Sequence, residues 1–503
     1  MTRISALVGL CLAAPTLGLA QTTSENPPGP EAPEEAPAPL VSDDETMVID
    51  AADAVQESAT EAAEAADDAL EQAVDAAAES AAALEEAEPV LDEEALDAAS
   101  VELSEAARGS DAGSIGEALR GGRAWLDTRY RFEGAEVRGF LERSWASTAR
   151  LAGGYETGSY RGFRLFVEGE GVTSVLSDDY NDGTGSRPNQ APVFDPETLE
   201  FNQAYLGYRS GDLPLDLLLG RQEVSFDDGR FVGADPWRQN NQSFDALRAR
   251  YRASDALELD YTYAFKVHRV FSNSSPLGNE DLKSHWLNAT YETERYGRLG
   301  AFAYLNDLSD LQTLSTNTFG ARWAADASLG ELGGEDVVGD LQLVYARQSD
   351  AYDNPVDVDA DYWLARVGAE RAGLGVAIAV ETLGGSGDAG DSFSTPFASV
   401  QDFNGFADQF RATPDGGLVD SRVELGYDFT LTGWELPSAV RVTYHRFESD
   451  AGDLDYGREL DVDFVVDLTD RLAVGARYAD FNGDEVFRNA NRASAWLSYS
   501  ILR

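Results

Sequence analysis

From Arg123 onward the chain alternates apolar and polar positions with a period of two. That is the spacing of a strand with one face in an apolar medium and the other in water. The clearest stretch is 257–267, where Leu257, Leu259, Tyr261, Tyr263, Phe265 and Val267 share one face. Glu258, Asp260, Thr262 and Lys266 share the other. A second stretch, 458–468, sets Leu460, Val462, Phe464, Val466 and Leu468 against Glu459, Asp461, Asp463 and Asp467. About 18 such segments fit between residues 123 and 503, and their connections alternate in length. Those near 157–160, 211–213, 253–255, 293–296, 371–372, 433–435 and 468–470 are short, while 176–200, 224–242, 270–281 and 386–420 are long. One join, 326–336, is long where the parity asks for a short turn. The pattern predicts an all-β fold: an antiparallel transmembrane β-barrel of about 18 strands, with lipid outside, water inside and both termini periplasmic. A soluble sandwich gives no reason for such parity.

Residues 1–20 (MTRISALVGLCLAAPTLGLA) carry Arg3, a short apolar core and a Gly-Leu-Ala end, the pattern of a secretory signal peptide. Residues 21–42 form a Pro/Glu-rich linker, and 43–107 an acidic, Ala-rich extension with helical propensity but no heptad. This region reads as a helical or disordered spacer with a possible periplasmic partner. Residues 108–122 are a short periplasmic lead-in, and 123–503 the barrel.

The formal charge is −52, with 28 acids against two arginines in residues 21–122. Such acidity argues against nucleic acid as a partner, because phosphates would be repelled. Cys11, in the leader, is the only cysteine, and His268, His285 and His445 are scattered, so neither a metal site nor a cofactor is expected.

Strand register then assigns the charged side chains. On the sixth strand Leu247 and Tyr251 toward lipid send Arg248 and Arg250 into the lumen. An arginine facing lipid at the bilayer midplane would cost about 2–4 kcal/mol. Asp245 then falls on the outer face, tolerable only near the loop end, and Arg221 shares the parity of Leu215, Leu217 and Leu219. It lies past the membrane edge or follows a bulge. The same test sends Asp127, Arg129, Arg131, Arg164, Glu168, Arg366, Arg422, Arg441 and Arg477 inward.

The stretch LGRQEVSFDDGRFVGADPWRQNNQSFDALRARY (219–251) resembles the alginate-export family of outer-membrane porins. AWLDTRYRFEG (124–134), FNGFADQFRATPDGGLVD (403–420) and YGRELDVDFVVDLTDRLAVGARYADFNGD (456–484) agree with it, so the resemblance covers roughly residues 114–503. It implies a monomeric barrel embedded in outer-membrane lipid, passing an anionic polysaccharide or small anionic solute through an Arg- and Asp-lined constriction. The end of the chain, ASAWLSYSILR, departs from the aromatic final residue of many such barrels.

A ring of guanidinium groups would offer a sugar carboxylate bidentate partners along its path. The same arginines could instead pair with lumen acids and brace the wall. Asp228, Arg230, Trp237 and Arg238 are candidates for a loop that folds inward and narrows the pore. The 386–420 loop reads as an ordered cap anchored by Phe403, Phe406 and Phe410. Enzymatic readings are weaker. His268, placed on the lumen face beside Ser272, Ser274 and Ser275, lacks a nucleophile motif, and arginine neighbours would keep Glu168 and Glu170 both ionised. Transport is the expected function, with a general or specific uptake porin as the alternative.

Overall fold

Alternating sequence becomes alternating burial in the computed structural model, which describes residues 111–139, 141–484 and 486–502. The signal peptide, the linker and the acidic extension lie outside the described residues. Eighteen strands succeed one another: β1 (Arg123–Val137), β2 (Ser144–Glu156), β3 (Phe163–Asp179), β4 (Thr198–Arg209), β5 (Leu215–Gln222) and β6 (Ser243–Arg252). Next come β7 (Leu257–His268), β8 (Asn279–Thr293), β9 (Gly297–Asn306), β10 (Thr316–Leu332), β11 (Glu335–Asp350) and β12 (Asp359–Arg371). The last six are β13 (Leu374–Leu383), β14 (Leu418–Leu431), β15 (Leu436–Glu448), β16 (Asp455–Thr469), β17 (Leu472–Gly483) and β18 (Ala490–Leu502). Each pairs antiparallel with its neighbours, and β1 pairs with β18 from Leu126↔Leu502 to Val137↔Ala490. Closure leaves no free edge, so every strand has hydrogen-bonded partners on both sides.

The connections after even-numbered strands are all short. The join that broke the rule, 326–336, is corrected: β10 runs on to Leu332, and only Gly333 and Gly334 turn the chain into β11. Their φ values are positive, 65° and 86°, as a tight two-residue hairpin demands. The pattern hid this because Leu329 is an extra residue opposite the Val337–Val338 pair, and it shifts the alternation. The β1 start and the β18 end share the rim of short turns. A short helix, α1 (Ile115–Arg120), packs there, capped by Ser114 and joined to the β2–β3 turn through Gly158 N–H to Ala118 O.

The outer face carries Leu165, Leu206, Leu247, Leu287, Trp323, Trp363, Ile378, Leu425 and Leu497, all exposed. One assignment on this wall is corrected. In β7, Ala264 pairs with Ala246 but Lys266 pairs with Asp245, so Phe265 is inserted as a bulge. The insertion reverses the faces of the residues beyond it: Val267 is fully buried, whereas Lys266 and His268 point outward, not into the lumen. Arg221 and Asp245, outward on β5 and β6, pair at 2.9 Å, and His268 Nε2 lies 3.0 Å from Asp245. The doubtful parity of Arg221 is thus met by a neutralising partner at the long-loop end.

Inside the wall lies an aromatic core. Phe226, Phe231, Phe244, Trp286, Tyr304, Tyr362, Phe393 and Phe397 are buried together, drawn from strands and from the two longest loops. The 384–417 loop is therefore not a cap over the mouth, because its Phe406 and Ala407 N–H groups bond to Asp461 and Glu459 on the inner face of β16. Phe410 packs on Phe447 and Phe481, and Phe393 and Phe397 are fully buried.

Candidate functional site: the lumen and its two inserted loops

The 223–242 loop crosses the lumen because its two ends find partners on distant strands. Arg230 donates to Glu381 on β13 and to Asn404, while Gln239 bonds to Thr148 on β2 and receives Arg129 Nε at 2.8 Å. The second loop runs beside the first, with Val232 and Phe397 bridged as strand partners. Close approach is possible because Gly229, at φ 81°, and Gly233 have no side chain. A Cβ at either would lie within 2.9 Å of Ser399 Oγ. That hydroxyl accepts the Asp235 N–H at 3.0 Å.

Arg238 is the central clamp. It is 2% exposed and bonds to Asp408 at 2.8 Å and to Gln401, with Glu133 3.8 Å away. Arg492 of β18 reaches the same two carboxylates, Glu133 and Asp408. Arg131 is 1% exposed, pairs with Asp195, and donates to the Trp237 carbonyl. Arg477 lies between two rings, its Cζ 3.9 Å from the Trp237 centroid and 3.7 Å from that of Phe406, with Asp463 at 3.2 Å. These groups hold the loops, and Arg131, Arg230 and Arg238 present almost no surface to water.

The other lumen arginines pair along the wall. Arg164 grips Asp216 in a fork at 2.9 and 3.0 Å, and Arg250 shares that carboxylate at 2.7 Å. Arg248 forks onto Asp260, with 2.7 Å as its shorter contact. Arg366 bridges Asp340 and Glu424, Arg422 adds Glu424, Glu381 and Asp420, and Arg441 meets Asp428 at 2.6 Å. Glu168 accepts from Trp125 and Asn202, and Asp127 from Ser500. Arg129 differs from all of these. Its guanidinium meets only neutral acceptors, namely Gln239 Oε1 and the carbonyls of Pro236 and Arg238. No carboxylate of the described residues pairs with it.

Burial shifts the acids of the inserted loop. Asp228 is raised by burial, against the opposing Arg230 N–H bond. Asp235 is pushed up to about 7, again by burial first, with Arg238 opposing and Asp402, Asp408 and Asp195 reinforcing. Its Oδ1 has no hydrogen-bond partner.

The sequence singled out the arginines of the wall and the four loop residues, and the fold brings Arg129, Arg131, Trp237, Arg238 and Arg477 together. It keeps Arg164, Arg248 and Arg250 on a separate stretch of wall. Sequence reasoning passed over Glu133, Asp195, Glu381, Asp408 and Arg492. Glu133 and Arg492 could have been found by parity, since each shares the inner face of its strand. Asp195 and Asp408 lie in loops, where no period marks them. As for catalysis, His268 Nδ1 and Nε2 face Asn279 and Asp245, and Ser272 bonds to Ser274. No serine–histidine pair forms among the described residues.

Residues 128–360 match the family described as alginate export. That span holds the 219–251 stretch and excludes the 403–420 and 456–484 stretches. Solved structures with the same fold include OccK9 (OpdG) of Pseudomonas aeruginosa, at 15% identity and TM-score 0.57, covering 76% of this chain and 99% of that one. OpdK of Pseudomonas aeruginosa with vanillate is similar at 16% identity and TM-score 0.58, covering 76% and 99%. OccAB2 of Acinetobacter baumannii is similar at 16% identity and TM-score 0.57, covering 76% and 98%. No curated protein matches the chain. The family match and the fold together support an outer-membrane channel.

Proposed function

We propose that this channel passes anionic saccharides or related small anionic solutes, without catalysis, as a monomeric barrel with its short-turn rim in the periplasm. The observation that carries the reading is Arg129. It is a lumen guanidinium left without a carboxylate beside the tip of the inserted loop, where Pro236 is exposed. A local positive field at a narrow point outweighs distant acid, since screening at physiological salt acts over about 8 Å. The paired arginines of β3, β6 and β14 extend the path as sites where a carboxylate can exchange for an aspartate partner. Two loops across the lumen favour slender solutes, which keeps open the second reading, uptake of small anions such as aromatic acids; OpdK is the neighbour solved with vanillate.

The test is conductance of the purified protein in planar bilayers. Anion-selective current that uronate oligomers block supports the saccharide reading. Block by small aromatic acids but not by uronates favours uptake of small anions. Cation-selective current, or none, would refute both.

A further inference from the structure

Three aromatic side chains stand in a row on the lumen face near the short-turn rim: Trp125 of β1, Phe166 of β3 and Tyr205 of β4. Register fixes the face. Trp125 is opposite Gly154, Gly154 is opposite the lumen carboxylate Glu168, and Phe166 is opposite Tyr205. Leu165 and Leu206, beside the latter two in sequence, are exposed on the lipid side. Trp125 reaches over β2 because Gly154 beneath it is bare: a Cβ there would lie 2.5 Å from the indole. The indole meets Phe166 at 4.7 Å between centroids, and Phe166 stacks on Tyr205 at 4.8 Å with planes 7° apart. The indole Nε1 donates to Glu168 at 3.0 Å, which orients the ring.

Neither lipid nor the inserted loops account for this row. The lipid side of the same rim has its own aromatic pair, Phe163 with Tyr208 at 4.7 Å. None of the three lumen rings belongs to the aromatic core around the two loops. They stay half-buried on a face that is polar in barrels of this kind. Charge around them is close to balanced, with Glu156, Glu168 and Asp216 against Arg164, Arg209 and Arg250. The row therefore neither draws nor repels an anion as such. Arg129 follows Trp125 on the inner face of β1, a rise of about 13 Å at about 3.3 Å per residue.

We propose that Trp125, Phe166 and Tyr205 form a stacking strip for the sugar rings of an anionic saccharide, between Arg129 and the short-turn rim. The proposal rests on the reading of the lumen as a path for such saccharides, and it names where their rings are held. A pyranose presents a face of C–H bonds, which suits the negative face of an aromatic ring. Its hydroxyls point sideways, toward hydrogen-bonding groups. Glu168 and Gln203, opposite each other on β3 and β4 and both half-buried, stand beside the strip to meet them. The carboxylate of the same chain is left to Arg129. A small aromatic acid has a ring for the strip but few hydroxyls for Glu168 and Gln203, so the mixed lining selects the saccharide.

The test is block of single-channel current through the full chain in planar bilayers. Uronate oligomers should block roughly tenfold more tightly than glutamate oligomers of equal charge, which have no ring to stack. Trp125→Leu removes the indole, and Phe166→Leu with Tyr205→Leu keeps apolar bulk on the wall without the rings. Each should lose most of that preference. Phe163→Leu with Tyr208→Leu, on the lipid side, should be blocked as the unaltered protein is. Equal block by the two oligomers overturns the proposal, as does an undiminished preference in either lumen variant or its loss in the lipid-side control. Lumen variants that lose block by benzoate and keep block by uronates also overturn it. The reversal potential separates the two claims. An anion-selective channel without the ring preference defeats this proposal alone, and a cation-selective or silent barrel defeats the reading beneath it.

Discussion

Arg230 of the β5–β6 loop and Glu381 of β13 meet at 2.5 Å, with both side chains almost wholly withdrawn from water. Glu381 also accepts from Tyr362 and Asn404, so the contact is the hub that pins one loop to the far wall. Arg230→Ala removes one of two cations on the buried carboxylate and leaves Arg422 at 3.4 Å. The cost should therefore fall below the roughly 3–5 kcal/mol of a buried charge left without compensation. The expected outcome is a lower unfolding temperature in detergent together with a larger single-channel conductance, because the loop is released. Unchanged conductance would show that the loop keeps its position without this anchor.

Arg248 and Arg250 set the second prediction. Replacing both by Ala leaves Asp260 without its fork and Asp216 with Arg164 and, at 3.9 Å, Arg209. The reversal potential in a salt gradient should move toward cations, and block by uronate oligomers should weaken. Asp353→Asn, on an exposed connection, should leave both readouts unchanged.

Asp235 makes the inserted loop sensitive to pH. Its folded value, about 7, lies above the ordinary carboxylate value of 3.8. A raised carboxylate contributes stability that is complete below the unfolded value and lost as pH rises through the folded one. The loop should therefore loosen as pH rises from roughly 4 to 7 and change little above that, seen as faster hydrogen exchange across 226–242. Asp235→Asn should flatten that dependence. An identical pH profile in the variant would remove Asp235 from the account.

Deleting residues 21–107 should leave a barrel that inserts and conducts, because the described strands close on one another without them. Failure of the shortened chain to fold in detergent would make the extension an integral part of the wall.

Much of this was legible in the sequence, and the failures have physical causes. Period-two alternation marked the strands, the turn lengths marked the topology, and the cost of arginine in lipid marked which way Arg248, Arg366 and Arg422 point. Bulges defeated the same logic at Phe265 and Leu329, since one inserted residue reverses every assignment beyond it. His268 was misplaced for that reason alone. The loops were harder. Nothing periodic announces that Asp408 reaches Arg238, so residues 386–420 read as a cap, whereas the carboxylate and phenylalanines of this loop belong inside.

Glu133 stands on the first strand, Arg492 on the last, and Arg238 and Asp408 on the two loops, yet the four form a single ionic network. The seam where the chain closes on itself is therefore also the place where its interior is fastened. Arg492 can join Glu133 and Asp408 only once β1 and β18 have met, so closing the wall also completes the fastening that Glu381 on β13 and Asp461 on β16 supply elsewhere. A barrel caught with its seam unzipped would keep those outlying anchors and lack the one contact set that ties its two ends to its interior.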